Sequence, residues 1–448
     1  MHDNEDRDNL TAHPGITLLF LVAAVLPAIV AYAILYRQAF PVPYQDDYKA
    51  ILGFAVEYAH LPTFKAKVLD IATNQSNEYK LSFEHSIVAS ELELTRHLNF
   101  PFLIAMGNLF LLPMLYLVWL IFQEDEPNLN RRLLAFLPIS LVFFSLTYWE
   151  NLDWAMTGLQ NTPVILFSLL AIYLLASRKI VELSPARFWL ACLAAALAAS
   201  TSANGFLLGP VGLLVLLLRR AYARSLVWCA SFVLPLAAYL YHYTWSVQQP
   251  MFRLYYITRP LFFLAFFGCV IPFRWYAAYL GLALLSIVLL AWRSGFHRRN
   301  PAAFYSAIWI LATGALVGWV RGAVAFSTAS RYSIYSVLMV IFCYSYLAEY
   351  LPSRWPGFNR KVFYIISLLL AVGMCVSVDR NAYQLLGARR RMVLSGIEFY
   401  RANPQANSPM VDPLVNGLFP QEKAREHAIL NKAIQEHIYT LPPRQDIH

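Results

Sequence analysis

Two carboxylates stand side by side in "PYQDDYK", where Asp46 and Asp47 follow directly on the first long apolar run and lie between Tyr44 and Tyr48. A carboxylate at a membrane edge loses hydration, which raises its pKa towards the range of a general base. Either acid suits that task. Asp47 is also placed to N-cap the apolar-periodic stretch that follows, which favours Asp46 as the base. Further on, "NQSNEYKLSFEH" groups Glu78, Lys80, Glu84 and His85. A divalent cation could be held by Asp46, Glu78, Glu84 and His85, but their spacing matches no familiar ligand pattern. A solvated amphipathic helix is the simpler account of that stretch.

Three more segments carry polar groups where apolar ones would be expected. "YWENLDWAMTGLQN" sets Glu150, Asn151 and Asp153 between Trp149 and Trp154. Tryptophans anchor at interfaces, but an acid close to hydrocarbon needs a partner. "STSANG" places Ser202, Asn204 and Gly205 where turn chemistry alone accounts for them. "RGAVAFSTASRYS" puts Arg321 and Arg331, with Tyr332, in one short loop. The guanidinium fork suits a phosphate or a carboxylate. The two arginines either receive an anion or neutralise Asp46, Asp47 or Glu150.

The elements that must position these residues are membrane helices. Of 448 residues, 59% are hydrophobic and 14% charged, against roughly 25% charged in soluble domains. The apolar runs approach the ~20 residues that cross a bilayer. The expected fold is an all-α polytopic membrane protein with about eleven transmembrane helices, near 15–36, 100–122, 133–148, 161–178, 186–204, 206–219, 225–243, 274–293, 302–320, 333–350 and 361–378. The fifth and sixth could pair as a hairpin. The run 256–273 is too short for a clear span.

Basic residues favour cytoplasmic loops. "QEDEPNLNRR", "SRKIVELSPAR", "RRAYARS", "WRSGFHRRN" and "LPSRWPGFNRK" fall on one side, while the opposite loops 149–160 and 200–206 carry no basic residue, provided 256–273 does not cross. The N-terminus is then cytoplasmic and the C-terminus lies opposite, with every motif above. The first long loop, 37–99, is expected to hold helices lying along the interface over "YKAILGFAVEYAHL" and "NEYKLSFEHSIVASELELTRHL". Residues 1–378 form the transmembrane domain and 379–448 a small helical appendage. The five cysteines sit in apolar runs without CxxC spacing, which suggests neither disulfides nor a metal knuckle. The net charge of +9 follows from topology and does not call for nucleic acid.

The acidic pair in a long first loop resembles the GT-C superfamily of membrane glycosyltransferases. "DDY", "NEYK", "WEN", "SANGFLLGPVGLLVLLLRR" and "SRY" together are similar to a bacterial branch that uses polyprenyl-phosphate sugars, over most of residues 15–350. The chain has Tyr79 and Lys80 where that branch is expected to end in His-Arg. The resemblance implies a periplasmic site in the bacterial inner membrane and an undecaprenyl-phosphate-type donor. Its implied acceptor is a surface glycan or a pilin-like protein. It also implies Asp46 or Asp47 as base and Arg331, Arg321 or Lys80 at the donor phosphate. Glu78, Tyr44, Tyr48, Trp149, Glu150, Asn151, Asn204 and Tyr332 would line the substrate. The alternative is a transporter or flippase of lipid-linked sugars, but such proteins place ionisable groups near the bilayer midplane, where these spans carry few.

Overall fold

A computed structural model of the chain describes residues 14–38, 41–122, 128–178, 183–244, 255–321, 329–355, 357–402 and 420–443. The acidic N-terminal tail, 123–127, 179–182 and the 322–328 part of the arginine loop lie outside them. Hydrocarbon offers no partner to a backbone N–H or C=O, so apolar runs close their hydrogen bonds locally as helices. The first run is α1 (Pro14–Gln38). The long loop then gives α2 (Phe54–Ala59), entered through a π-helical turn over Tyr48–Gly53, and α3 (Phe64–Thr73). A small antiparallel hairpin follows, β1 (Gln75–Ser76) with β2 (Tyr79–Lys80), and then α4 (Ser82–Thr95).

The bundle continues as α5 (Phe100–Leu109), α6 (Leu111–Ile121), α7 (Leu129–Phe143), the short α8 (Trp149–Asp153), α9 (Ala155–Ala176), α10 (Pro185–Thr201) and α11 (Leu208–Leu218). Beyond it come α12 (Tyr222–Ala230), α13 (Val233–Leu240), α14 (Tyr255–Gly268), α15 (Arg274–Arg293), α16 (Phe296–Arg299), α17 (Pro301–Arg321), α18 (Ser333–Arg354), α19 (Arg360–Ala402) and α20 (Pro420–Gln435).

Among the described residues nine helical stretches are long and apolar enough to cross a membrane. This is a multi-pass membrane protein. Two of the expected spans are the shorter α10 and the stretch Ala203–Leu218 containing α11. The start of that stretch, Ala203–Leu207, packs back on α10, and α11 then packs on α9 and α12. The 14 residues of α14 rise only about 21 Å, short of the ~30 Å of hydrocarbon. This helix packs against α15 through Gly268 on Ala277 and Gly281 on Leu264, where any side chain would collide with backbone. α5 meets α9 in the same way, with Gly107 on Gly158. Small residues are what lets membrane helices approach this closely.

Two expectations are corrected. The boundary at 378 falls inside α19, which runs 43 residues without a break. No proline interrupts "VSVDRNAYQLLGARRRMVLSGIEFY", so the helix carries on where its composition turns polar. Nor is the C-terminal segment a separate appendage. Ile397 and Tyr400 of α19, with Leu430, Ile438 and Tyr439, share one hydrophobic core with Tyr48, Phe54, Leu81, Leu92 and Phe100. The helices α2 and α4 each turn one face into this core. Tyr48, Ala50, Ile51 and Leu52 ahead of α2 are fully buried in this second core. Each large apolar side chain so buried contributes about 1.5–3 kcal/mol. The resulting cap sits on one end of the bundle, whose own core is a distinct cluster.

Candidate functional site

The acidic pair sits where the first loop turns into the cap. The Asp47 N–H bonds the Tyr44 carbonyl at 3.0 Å, and Gln45 adopts the left-handed region. The two carboxylates then diverge. Asp47 does not cap the helical turn after it. Its Oδ2 accepts from the Tyr44 N–H at 3.0 Å and its Oδ1 from the Met156 N–H at 2.9 Å. Met156 stands in the first turn of α9, whose N–H groups lack intrahelical partners, so Asp47 caps a helix over a hundred residues away. The expected local cap is thus replaced by a distant one. Only 1% of Asp47 is exposed. Burial pushes its carboxyl up to about 7, opposed by those two N–H donors and by Arg389.

Asp46 is partly exposed. Its Oδ1 accepts from Asn77 Nδ2 at 3.1 Å, leaving Oδ2 without a hydrogen-bond partner among the described residues. Burial raises its pKa and Glu78 adds to the shift, while the guanidinium groups of Arg331 and Arg321 oppose it. Asn77 forms the tip of the β1–β2 hairpin with φ +52°, a conformation that Asn tolerates better than most residues. Its Oδ1 accepts from Lys49 Nζ at 3.3 Å and its carbonyl from Gln75 Nε2 at 2.6 Å.

The hairpin is pinned on its other side. Arg321 pairs with Glu78 and donates to the Tyr79 hydroxyl. The Glu78 carbonyl accepts from the Tyr239 and Tyr243 hydroxyls at 3.1 and 3.0 Å. Lys80 is buried and donates to the Tyr241 carbonyl, its pKa lowered by that burial. It ties the hairpin to the end of α13, a role that conflicts with gripping a phosphate.

The segments "WEN" and "SRY" interlock. Glu150 accepts the Arg331 N–H on Oε2 at 2.9 Å, and Asn151 Nδ2 donates to the Arg331 carbonyl at 2.8 Å. These bonds fix the backbone of Arg331 and leave its guanidinium to stack over Trp154 at 5.4 Å and Tyr332 at 5.5 Å. Among the described residues no carboxylate lies within ion-pair distance of that guanidinium. Ser330 and Trp149 also line a neighbouring cavity of about 170 Å³, together with Thr147, Ser333 and Asn381. A larger cavity, about 300 Å³ and mostly apolar, lies on the flank of the bundle between α1, α7 and α19, away from the carboxylates.

Several residues take other positions. Tyr48 is fully buried in the cap core, so its ring is closed off from a sugar face. Asn204 donates to the Tyr335 hydroxyl at 2.9 Å and accepts from Trp309 Nε1 at 3.2 Å, inside the bundle. The neighbouring Gly205 lies against the backbone of Ala198, where no side chain fits. Glu84 and His85 are not on a solvated helix face but fully buried. His85 stacks on Phe54 at 4.1 Å, and burial lowers its pKa to about 4. Among the described residues Glu84 has no hydrogen-bond partner for either oxygen, and burial holds its carboxyl well above the usual range. Among the described residues, no three or more His, Cys, Asp or Glu are grouped so as to hold a metal ion.

Two residues of the site were not singled out from the sequence. One is Asn77. The other is Arg389 of α19, buried 3.5 Å over the Tyr44 ring and 3.4 Å from Asp153. Arg389 and Arg331 both stack near Trp154, at 5.7 and 5.4 Å. The run Arg389–Arg391 in a helical stretch was the available signal, but nothing local ties it to Tyr44. No family model matches the chain, and neither a characterised protein nor a solved structure is detectably similar to it.

Proposed function

We propose that the protein is an integral-membrane glycosyltransferase of the bacterial inner membrane. It moves a sugar from a polyprenyl-phosphate donor to a surface glycan or pilin-like protein at the periplasmic face. The observation that carries this reading is Asp46, whose Oδ2 has no hydrogen-bond partner among the described residues, within electrostatic reach of Arg331, whose guanidinium has no carboxylate within ion-pair distance among them. A base and an anion receptor stand together at one end of a membrane bundle.

In the proposed step Asp46 Oδ2 takes the proton of the acceptor hydroxyl. The hydroxyl oxygen bonds to the anomeric carbon as the bond from that carbon to the phosphate oxygen breaks. Polyprenyl phosphate leaves with the electron pair, and Arg331 offsets the charge that develops on it. With Asp46 acting as base and the hydroxyl attacking directly, the displacement is inverting. Asn77 orients Asp46, and Trp149 at the neighbouring cavity offers a ring for the sugar face. Arg321, already neutralised by Glu78, holds the hairpin rather than the phosphate.

The test uses purified protein in lipid with a panel of polyprenyl-phosphate sugars. Release of polyprenyl phosphate and label on extracted acceptor are followed for wild type, Asp46→Asn and Asp47→Asn. Asp46→Asn should lose roughly 10²–10⁴-fold in turnover with donor binding kept, as for removal of a general base. Unchanged turnover in Asp46→Asn would remove the base from the scheme. Movement of sugar lipid between leaflets without transfer would replace the enzyme with a transporter.

A further inference from the structure

Helix α3 carries its polarity the wrong way round for a segment surrounded by water. None of its ten residues is buried. Phe64 is 84% exposed, and Val68 and Leu69 are 47% and 44% exposed. Positions 64 and 68 lie one turn apart, with 65 and 69 beside them, so these side chains form one outward strip that includes Lys65. Lys67 and Asp70 are turned towards the protein instead. Lys67 bonds Glu93 at 2.5 Å and lies 4.8 Å over the Tyr58 ring, and Asp70 accepts from Asn74 at 3.0 Å.

The outward strip does not end at α3. This helix packs beside α13, the last part of a stretch, Tyr222–Leu240, apolar enough to span a membrane and only 17% buried. Val233, Leu234 and Leu240 of α13 are exposed as well. An apolar strip continuous with the flank of a membrane helix is what a bilayer covers. A basic residue within such a strip suits the headgroup layer, because a lysine stem can lie on apolar surface while its ammonium reaches the phosphates.

We infer that α3 is an interfacial anchor. Phe64, Val68 and Leu69 enter the boundary between headgroups and acyl chains of the bilayer that α13 crosses. Thr73 leads through Asn74 directly into the hairpin that holds Asp46 by Asn77 and Arg321 by Glu78. The depth of α3 therefore sets the height of the acidic pair above the membrane. This inference does not depend on the reaction proposed above.

The test is a depth measurement on full-length protein. Among the described cysteines only Cys229 is exposed, so Cys229→Ser provides the background for Val68→Cys, with Lys432→Cys on α20 as the cap control. Each is labelled with a small fluorophore and reconstituted in vesicles of phosphatidylcholine and phosphatidylglycerol. The label at 68 should be quenched several-fold more by a shallow doxyl lipid than by aqueous iodide, and the label at 432 the reverse. Iodide quenching at 68 without doxyl quenching overturns the inference, leaving the strip in water. Protection from both quenchers also overturns it, since another protein surface then covers the strip. Loss of glycosyl transfer, or its absence, leaves this readout unchanged.

Discussion

In the bundle, many of the polar side chains that bridge helices are neutral and bond backbone carbonyls: Asn108 to Leu152, Ser140 to Ala24, Thr162 to Gly107 and Asn300 to Ile121. Ionisable bridges also occur, as in Arg299 with Glu349 and Asp379 with the Leu146 N–H. In the cap, the buried groups include ionisable ones, among them Asp47, Lys80, Glu84, His85 and Glu91. A charge deep in hydrocarbon is costly, so the bundle cross-links itself with amides and hydroxyls. The cap buries acids by shifting them towards their neutral forms or by giving them N–H donors. On the proposed reading, this contrast is what would place proton chemistry in the cap rather than in the spans.

The largest effect that would sharpen this comparison is on Arg331. Arg331→Ala should lower turnover by roughly 10²–10³, as for removal of a group that stabilises developing charge, with little change in melting temperature. Arg321→Ala should do the opposite, costing more stability than activity, since Glu78 and Tyr79 lose their partner. Equal losses of turnover in both variants would erase the distinction between a free and a neutralised arginine.

Next comes the anchor. Asp47→Ala removes the acceptor of two N–H groups, those of Tyr44 and Met156. The cost should be about 2 kcal/mol, from donors left unpaired in a buried place. A shift in the thermal unfolding of detergent-solubilised protein reads it. An unchanged melting temperature would mean that the loop is held by its core contacts alone.

The pH dependence is smaller and has two opposing arms. Asp47 has a folded pKa of about 7, above the ~3.9 of an unfolded Asp. Its contribution to stability is therefore fully present below about pH 4 and lost as pH rises through 7. His85, held down at about 4, is below the ~6.5 of an unfolded His. Its contribution is present above about pH 6.5 and lost as pH falls through 4. Asp47→Asn should flatten the first arm and His85→Phe the second, each read from unfolding midpoints across that window, where in the wild type the two arms largely cancel. Slopes identical to wild type would show that burial does not set these protonation states.

The smallest effect lies in the bundle. Asn108→Leu removes bonds to two carbonyls, yet such interhelical bonds average only about 0.6 kcal/mol in membrane proteins. A loss larger than that of Asp47→Ala would invert the comparison between bundle and cap.

Much of the fold was legible because a membrane helix bonds to itself. Length and apolarity suffice to mark runs such as Pro14–Gln38 and Pro301–Arg321, since every hydrogen bond closes within four residues. The segments "DDY", "NEYK", "WEN" and "SRY" also stood out, because polar groups among apolar ones need a reason. Their partners did not. Asp47 bonds Met156, Asn77 bonds Asp46, and Arg389 covers Tyr44, each across a sequence separation that local pattern does not encode. The stretches around α2 and α4 looked interfacial because mixed apolar spacing suits a membrane surface and a second core equally. The tertiary structure shows that part of their apolar surface enters a core shared with α19 and α20. Residue order alone marked the apolar helices and the polar segments. The tertiary structure decided which carboxylate is consumed as an anchor and which keeps a free oxygen, because burial and hydrogen-bond partners are properties of contacts between distant parts of the chain.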